Sequence, residues 1–250
     1  MNNIILFAAW AIALLHLLMA IVFMIKPFSE KAYGTILFLF LALVISLMLY
    51  NTINLGVLSL ISLHDVFLSL SLMAALIAIF IKKDIVARLA LSFASWIAIS
   101  LAMSPLAPPP GSVKPVLASA WLILHVLTSI AGESLIYAGG FILVARLISK
   151  KDRGLGIEES LIYWGYLFFT AGALIFGAVW AYFAWGSFWS WDAKETWSLI
   201  TWLMLTAYVH LSPAYKKKNW ARAVILLAIV FMLFTLLGVP YLFDGKHSYG

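Results

Sequence analysis

Apolar residues come in long runs in this chain, at about 4–25, 34–53, 57–81, 86–103, 117–148, 161–184, 195–211 and 221–243. Each run is near the ~20 residues that an α-helix needs to cross a ~30 Å hydrocarbon layer, and the seventh is the shortest. Lipid offers no partner to a bare N–H or C=O, so the runs are expected as helices. Polar and turn-forming residues gather between them. Two such segments stand out: the proline-rich stretch 104–116, which its prolines keep stiff and extended, and the tryptophan-rich stretch 184–197. The pattern predicts an all-α, polytopic membrane helix bundle of about eight transmembrane helices, forming one integral membrane domain over 1–250.

Composition supports lipid as part of the solvent. The chain is 65% hydrophobic and 10% charged, more apolar than a soluble chain of 250 residues can bury. The basic residues give the orientation. Lys26, Lys31, Lys82, Lys83, Arg88, Arg146, Lys150, Lys151, Arg153, Lys216, Lys217, Lys218 and Arg222 follow runs one, three, five and seven, whereas Lys114, Lys194 and Lys246 fall on the other face. Positive charge stays cytoplasmic, so both termini and both notable segments are expected outside. The net charge of +6 is then a topology signal and not a nucleic-acid footprint. The N-terminal run lacks a basic lead and a small-residue cleavage site, and reads as a first span. There is no cysteine, which excludes disulfides, thiolate metal ligands and a cysteine nucleophile.

The remaining chemistry rests on five histidines and eleven tryptophans. Trp180, Trp185, Trp189, Trp191, Trp197 and Trp202 crowd into one short stretch, "WGSFWSWDAKETW" at its centre. A lone interfacial histidine is ordinarily a tolerated polar residue, and an interfacial tryptophan is ordinarily part of a belt. A belt spreads its rings over all helices, however, and these are concentrated in one loop. His125 at the outer end of run five and His247 just after run eight reach the same face. Two neutral imidazoles beside a flat aromatic shelf suit a haem, with axial nitrogens for the iron and apolar walls for the macrocycle. Gly186 permits a sharp turn, Ser190 and Thr196 are placed to cap the seventh helix, and Asp192 complements its dipole. His210 lies roughly 20–25 Å below that shelf, at ~1.5 Å per residue, and cannot serve the same iron. It is either a helix-end cation or part of a second, deeper site. His16 sits mid-span, about two turns higher than His210 and so poorly placed to pair with it, while His64 falls on the wrong face to do so. Glu133, two turns below His125, faces a polar cavity, bonds a neighbouring helix or stays protonated.

The segment "WGSFWSWDAKETWSLITW" resembles the WWD signature of haem-handling membrane proteins, in the form found in the CcsA/ResC family of system II cytochrome c biogenesis. That pattern reads approximately W-G-S-Y-W-S-W-D-P-K-E-T-W, from which only Phe188 and Ala193 depart. "GAVWA" (177–181), "AYVH" (207–210), "WLILHV" (121–126) and the ending "GKHSYG" (245–250) extend the resemblance over 116–250, and it is weak over the first hundred residues. The resemblance implies that His125 and His247 are axial ligands of an outer haem b, with Trp185, Gly186, Trp189, Trp191 and Asp192 as the platform at its edge. It implies that His210 is one ligand of a haem within the membrane, with the opposite ligand on a CcsB/ResB-like partner. The expected role is as part of a holocytochrome c synthase. It would present haem at the extracytoplasmic face of a prokaryotic cell membrane for thioether attachment to the C-x-x-C-H motif of apocytochrome c. Alternatives are a CcmC-like handler that loads a haem chaperone, a stable haem-binding electron-transfer protein, and a transporter whose tryptophans form a gate.

Overall fold

The computed structural model describes residues 2–25, 30–55, 62–81, 84–107, 119–150 and 156–243. All regular structure among them is helical: α1 (Asn2–Ile25), α2 (Glu30–Leu55), α3 (Leu63–Phe80), α4 (Ile85–Ala102), α5 (Ala120–Ser149), α6 (Ile157–Phe169), α7 (Gly177–Trp185), α8 (Ala193–Val209), α9 (Pro213–Lys216), α10 (Asn219–Leu233) and α11 (Val239–Leu242). Wide π-helical turns at Thr170–Phe176 and Phe234–Gly238 join α6 to α7 and α10 to α11 without a break. Among the described residues, six helical stretches are long and apolar enough to cross a membrane: Lys31–Asn54, Leu63–Phe80, Ile85–Ala102, Ala120–Ser149, Ile157–Trp185 and Asn219–Leu242. The protein is thus a multi-pass membrane protein. Of the other two expected spans, the first is represented by the shorter apolar helix Ile4–Leu18 and the seventh by α8, of 17 residues.

Contacts divide the chain into two compact units, Met1–Ala118 with Phe141–Lys151, and Ser119–Gly140 with Asp152–Gly250. In the first, interhelical polar bonds pin apolar helices together, each worth roughly 0.6 kcal/mol inside a membrane. Ser71 and Ser95 exchange hydroxyl-to-carbonyl bonds between α3 and α4, at 2.8 and 3.1 Å. His16 Nε2 lies 2.5 Å from the Tyr33 hydroxyl and 3.3 Å from Ser92 Oγ, and the buried Arg88 guanidinium sits 4.7 Å over the Tyr33 ring. His64 donates from Nδ1 to the Ala102 carbonyl at 2.8 Å. Asp84 caps α4 and accepts from Arg146 at 2.8 Å. His16 and His64 are therefore both buried partners in this unit's own framework.

In the second unit α5 and α6 touch backbone to backbone. A Cβ at Gly132 would lie 2.9 Å from the Gly165 carbonyl oxygen, and one at Gly139 equally close to that of Glu158. Small residues permit this approach, and lipid-embedded helices rely on it because no hydrophobic force drives them together. The close approach fixes the rotation of α5, and with it the direction of His125.

Candidate functional site

His125 is held on three sides within the second unit. The 2.9 Å contact from its Nδ1 to the Gly172 carbonyl requires the proton on Nδ1, since a carbonyl only accepts. That tautomer puts the lone pair on Nε2, the nitrogen available to a metal; pinning the opposite nitrogen to a carbonyl is how proteins orient ligating histidines. The Trp180 ring lies parallel to the imidazole, with centroids 5.8 Å apart and planes within 5°. Ser129 Oγ lies 3.4 Å from the same Nδ1.

The π-helical turn makes this brace possible. Widening to a five-residue hydrogen bond lets the Gly172 carbonyl receive the Gly177 N–H as well as His125. Neither glycine leaves room for a side chain. A Cβ at Gly177 would sit 3.0 Å from His125 Nδ1, and one at Gly172 would fall 2.7 Å from the Thr128 backbone. The same turn is gripped from α8, where Trp202 Nε1 donates to Thr170 Oγ1 at 2.9 Å. Such single-turn π bulges occur often at functional sites.

Beyond Trp180 the aromatic ladder continues. Trp185 meets Trp180 edge-on at 4.7 Å, where α7 ends. Gly186 stops that helix in the left-handed region, at φ +78°, with its N–H on the Tyr182 carbonyl at 2.8 Å. A β-carbon there would meet nothing within 4 Å, so backbone conformation and not space calls for glycine. Trp191 also has positive φ, +59°, an uncommon state for a bulky residue, and its ring is 69% exposed. Trp189 stands edge-on to it at 6.0 Å, with its own Nε1 buried and without a hydrogen-bond partner among the described residues.

Two carboxylates tie this loop to α8. Asp192 is the N-cap, its Oδ1 accepting the Glu195 N–H at 2.8 Å. Glu195 in turn accepts the Ser190 N–H at 2.7 Å and its hydroxyl at 3.2 Å. The cap is thus Asp192, and neither Ser190 nor Thr196, which were placed to serve; Ser190 instead anchors the loop to Glu195. The last rings play other parts: the partly exposed Trp197 meets Phe231 and Phe234 edge-on, with centroids at 5.2 and 4.7 Å.

The structure therefore brings His125, Trp180 and Trp185 into one ladder and joins Trp189, Trp191 and Asp192 in one capped loop. His210 is exposed at the far end of α8, donating from Nδ1 to the Thr206 carbonyl at 2.8 Å. Near it, the Tyr208 hydroxyl bonds Glu159, which pairs with Lys216 at 3.2 Å. His247 lies outside the described residues, as does most of the stretch 104–116. Sequence reasoning missed Trp180 as a wall for His125, Gly172 and Gly177 as its seat, and Glu195 as the loop's anchor. Only "GAVWA", with its glycine three residues before a tryptophan, carried a signal.

A family model described as "Cytochrome C assembly protein" matches residues 29–247. The chain belongs to this family. Among its relatives, the cytochrome c biogenesis protein CcsA of Chlamydomonas reinhardtii is 37% identical over 153 residues, which is 54% of this chain and 42% of that protein. CcsA of Synechococcus sp. strain CC9605 is 31% identical over 176 residues, covering 54% and 57%. The chain thus spans about half the length of the curated relatives it matches, and the CcsA resemblance of its tryptophan-rich loop agrees with them. A solved structure titled "Cytochrome c Heme Lyase CcmF" superposes with a TM-score of 0.70 at 19% identity, over 94% of this chain and 46% of that one, a likeness of fold.

Proposed function

We propose that this chain acts in cytochrome c biogenesis by holding haem b at the extracytoplasmic face of a membrane and presenting it to apocytochrome c. The observation that carries the reading is His125: a half-buried imidazole with its Nδ1 proton committed to a carbonyl and its face laid on a tryptophan. That arrangement suits an axial ligand to a flat metal macrocycle better than it suits a helix contact. His247 is the second axial ligand in this reading, and the loop of Trp185, Gly186, Trp189, Trp191 and Asp192 is the platform at the macrocycle's edge. Family membership and the CcsA relatives support the setting in cytochrome c assembly.

Haem is the cargo here. The chemistry completed on it is addition of the two thiols of the substrate's C-x-x-C-H motif across the haem vinyl groups. This chain has no cysteine, so both thiols belong to the substrate. Its own residues orient the macrocycle and hold it near the incoming thiols, and proximity of that kind supplies a large part of a rate. His210 is a ligand of a second haem position deeper in the membrane, completed by a CcsB/ResB-like partner, and the membrane is the prokaryotic cytoplasmic membrane. Purified protein is expected to carry acid-extractable haem b with a bis-histidine absorption spectrum. A colourless protein that also fails to take up added haem contradicts the reading.

A further inference from the structure

Trp191 is the anomaly of the outer loop. Earlier in the same loop, Gly186 takes positive φ with the residue type that does so freely. Trp191 also sits at positive φ, +59°, but with the bulkiest side chain there is. Its ring gains no burial in return: it is exposed and stands edge-on to Trp189. Strain of this kind persists only where the surroundings over-determine the backbone.

The surroundings here are the first turn of α8. Glu195 is its third residue, and an acid at that position ordinarily closes a capping box by reaching back to the N–H of the capping residue. Asp65 does so in α3. The buried Glu195 carboxylate reaches past Asp192 instead, to the N–H of Ser190 at 2.7 Å and to its hydroxyl at 3.2 Å. Asp192 is fastened to the same turn, its Oδ1 accepting the Glu195 N–H at 2.8 Å. Residues 190 and 192 are thus both tied to one helical turn, and Trp191 alone turns the chain between them. Thr196 Oγ1 adds a weak bond to the Trp191 carbonyl, at 3.4 Å.

We propose that Glu195 is a positioning residue for the haem: by tying Ser190 to α8 it holds Trp191 in the left-handed state, and so holds the Trp191 ring out against the macrocycle. The inference rests on the reading of this loop as the haem platform. The helix cap needs neither bond from Ser190, since Asp192 already supplies it. What the Ser190 bonds add is direction. Without them the backbone at 191 relaxes to an ordinary negative φ, and the ring swings to another side of the chain. A glycine at 191 would meet the backbone's demand without strain, so the ring itself accounts for a tryptophan there.

The test pairs heat with haem, on the full-length protein in detergent. Without haem, Trp191→Gly should unfold about 2–4 °C higher than Trp191→Ala, because glycine alone sheds the strain. Combined with Glu195→Ala, the same two variants should unfold together. Equal midpoints for the two in the otherwise unchanged protein overturn the inference. In haem titrations Glu195→Ala should bind about tenfold more weakly with the bis-histidine spectrum kept, the worth of one aromatic contact. It should cost nothing further once Trp191→Gly is present. Losses that multiply give Glu195 a task apart from Trp191 and overturn the inference, while the platform reading stands. If Glu195→Ala fails to insert, Glu195→Gln, which leaves one acceptor oxygen, takes its place in both arms, with the same pattern expected in smaller measure. No haem uptake by wild type, or unchanged affinity in Trp191→Gly, overturns the platform reading and the inference with it.

Discussion

His125 and Asp192 show what one side chain does for the site. The histidine was legible in the sequence because an ionisable group near a membrane needs a reason to be there. Its brace was not, because the acceptor is the carbonyl of Gly172, and a backbone atom leaves no mark in a sequence. Asp192 was legible as an acid before a helix, and the structure makes it the cap of α8. Asparagine caps as well as aspartate, whereas alanine costs roughly 1 kcal/mol. Asp192→Asn is therefore expected to retain most of the haem per protein, and Asp192→Ala to lose much of it while inserting normally. Haem-to-protein ratios of the two purified variants check this. Equal loss in both gives the carboxylate a task beyond capping.

Among the elements, α5 and the continuous helix from α6 through α7 do most of the placing. Their existence followed from the lengths of the apolar runs. Their closeness depends on Gly132, Gly139 and Gly165, whose seven-residue spacing on α5 reads as small residues in a hydrophobic run until two backbones are seen to meet. The π-helical turn at Thr170–Phe176 was not legible, because "TAGALIF" is as compatible with an ordinary α-helix; its widening goes with bonds to Gly172 and Thr170 from two other helices. Glycine substitutions separate the two effects. Gly165→Ala sets a Cβ 2.8 Å from the Gly132 carbonyl oxygen and should lower stability by about 1–3 kcal/mol, read as thermal unfolding in detergent. Gly177→Ala presses on His125 itself, 3.0 Å away, and should reduce haem binding more than stability. The reverse ranking would detach the π turn from the site.

At the scale of the whole molecule, hydropathy and the placement of Lys and Arg were enough for a multi-pass helical protein, and the family match bears this out. Sidedness is open to direct measurement because the chain has no cysteine. A single cysteine at Ser187 should react with a membrane-impermeant maleimide added from outside, and one at Ser149 only after permeabilisation; labelling in the opposite order inverts the topology. Sidedness also governs the two haem positions. His210 is about four helical turns from the tryptophan loop along α8, so its loss should not touch outer ligation directly. If haem is supplied through the deeper position, His210→Ala starves the outer one, and haem added from outside restores His210→Ala but not His125→Ala. Equal restoration of both variants removes the two-position path and leaves His210 as a helix-end residue.

The central claim is that His125 ligates the iron of a haem at this loop, and it is tested most directly by the absorption spectrum of purified His125→Ala with and without added imidazole. The account predicts loss of the bis-histidine spectrum in the variant and its return when imidazole fills the vacated coordination position. An unchanged bis-histidine spectrum in His125→Ala without imidazole would contradict it.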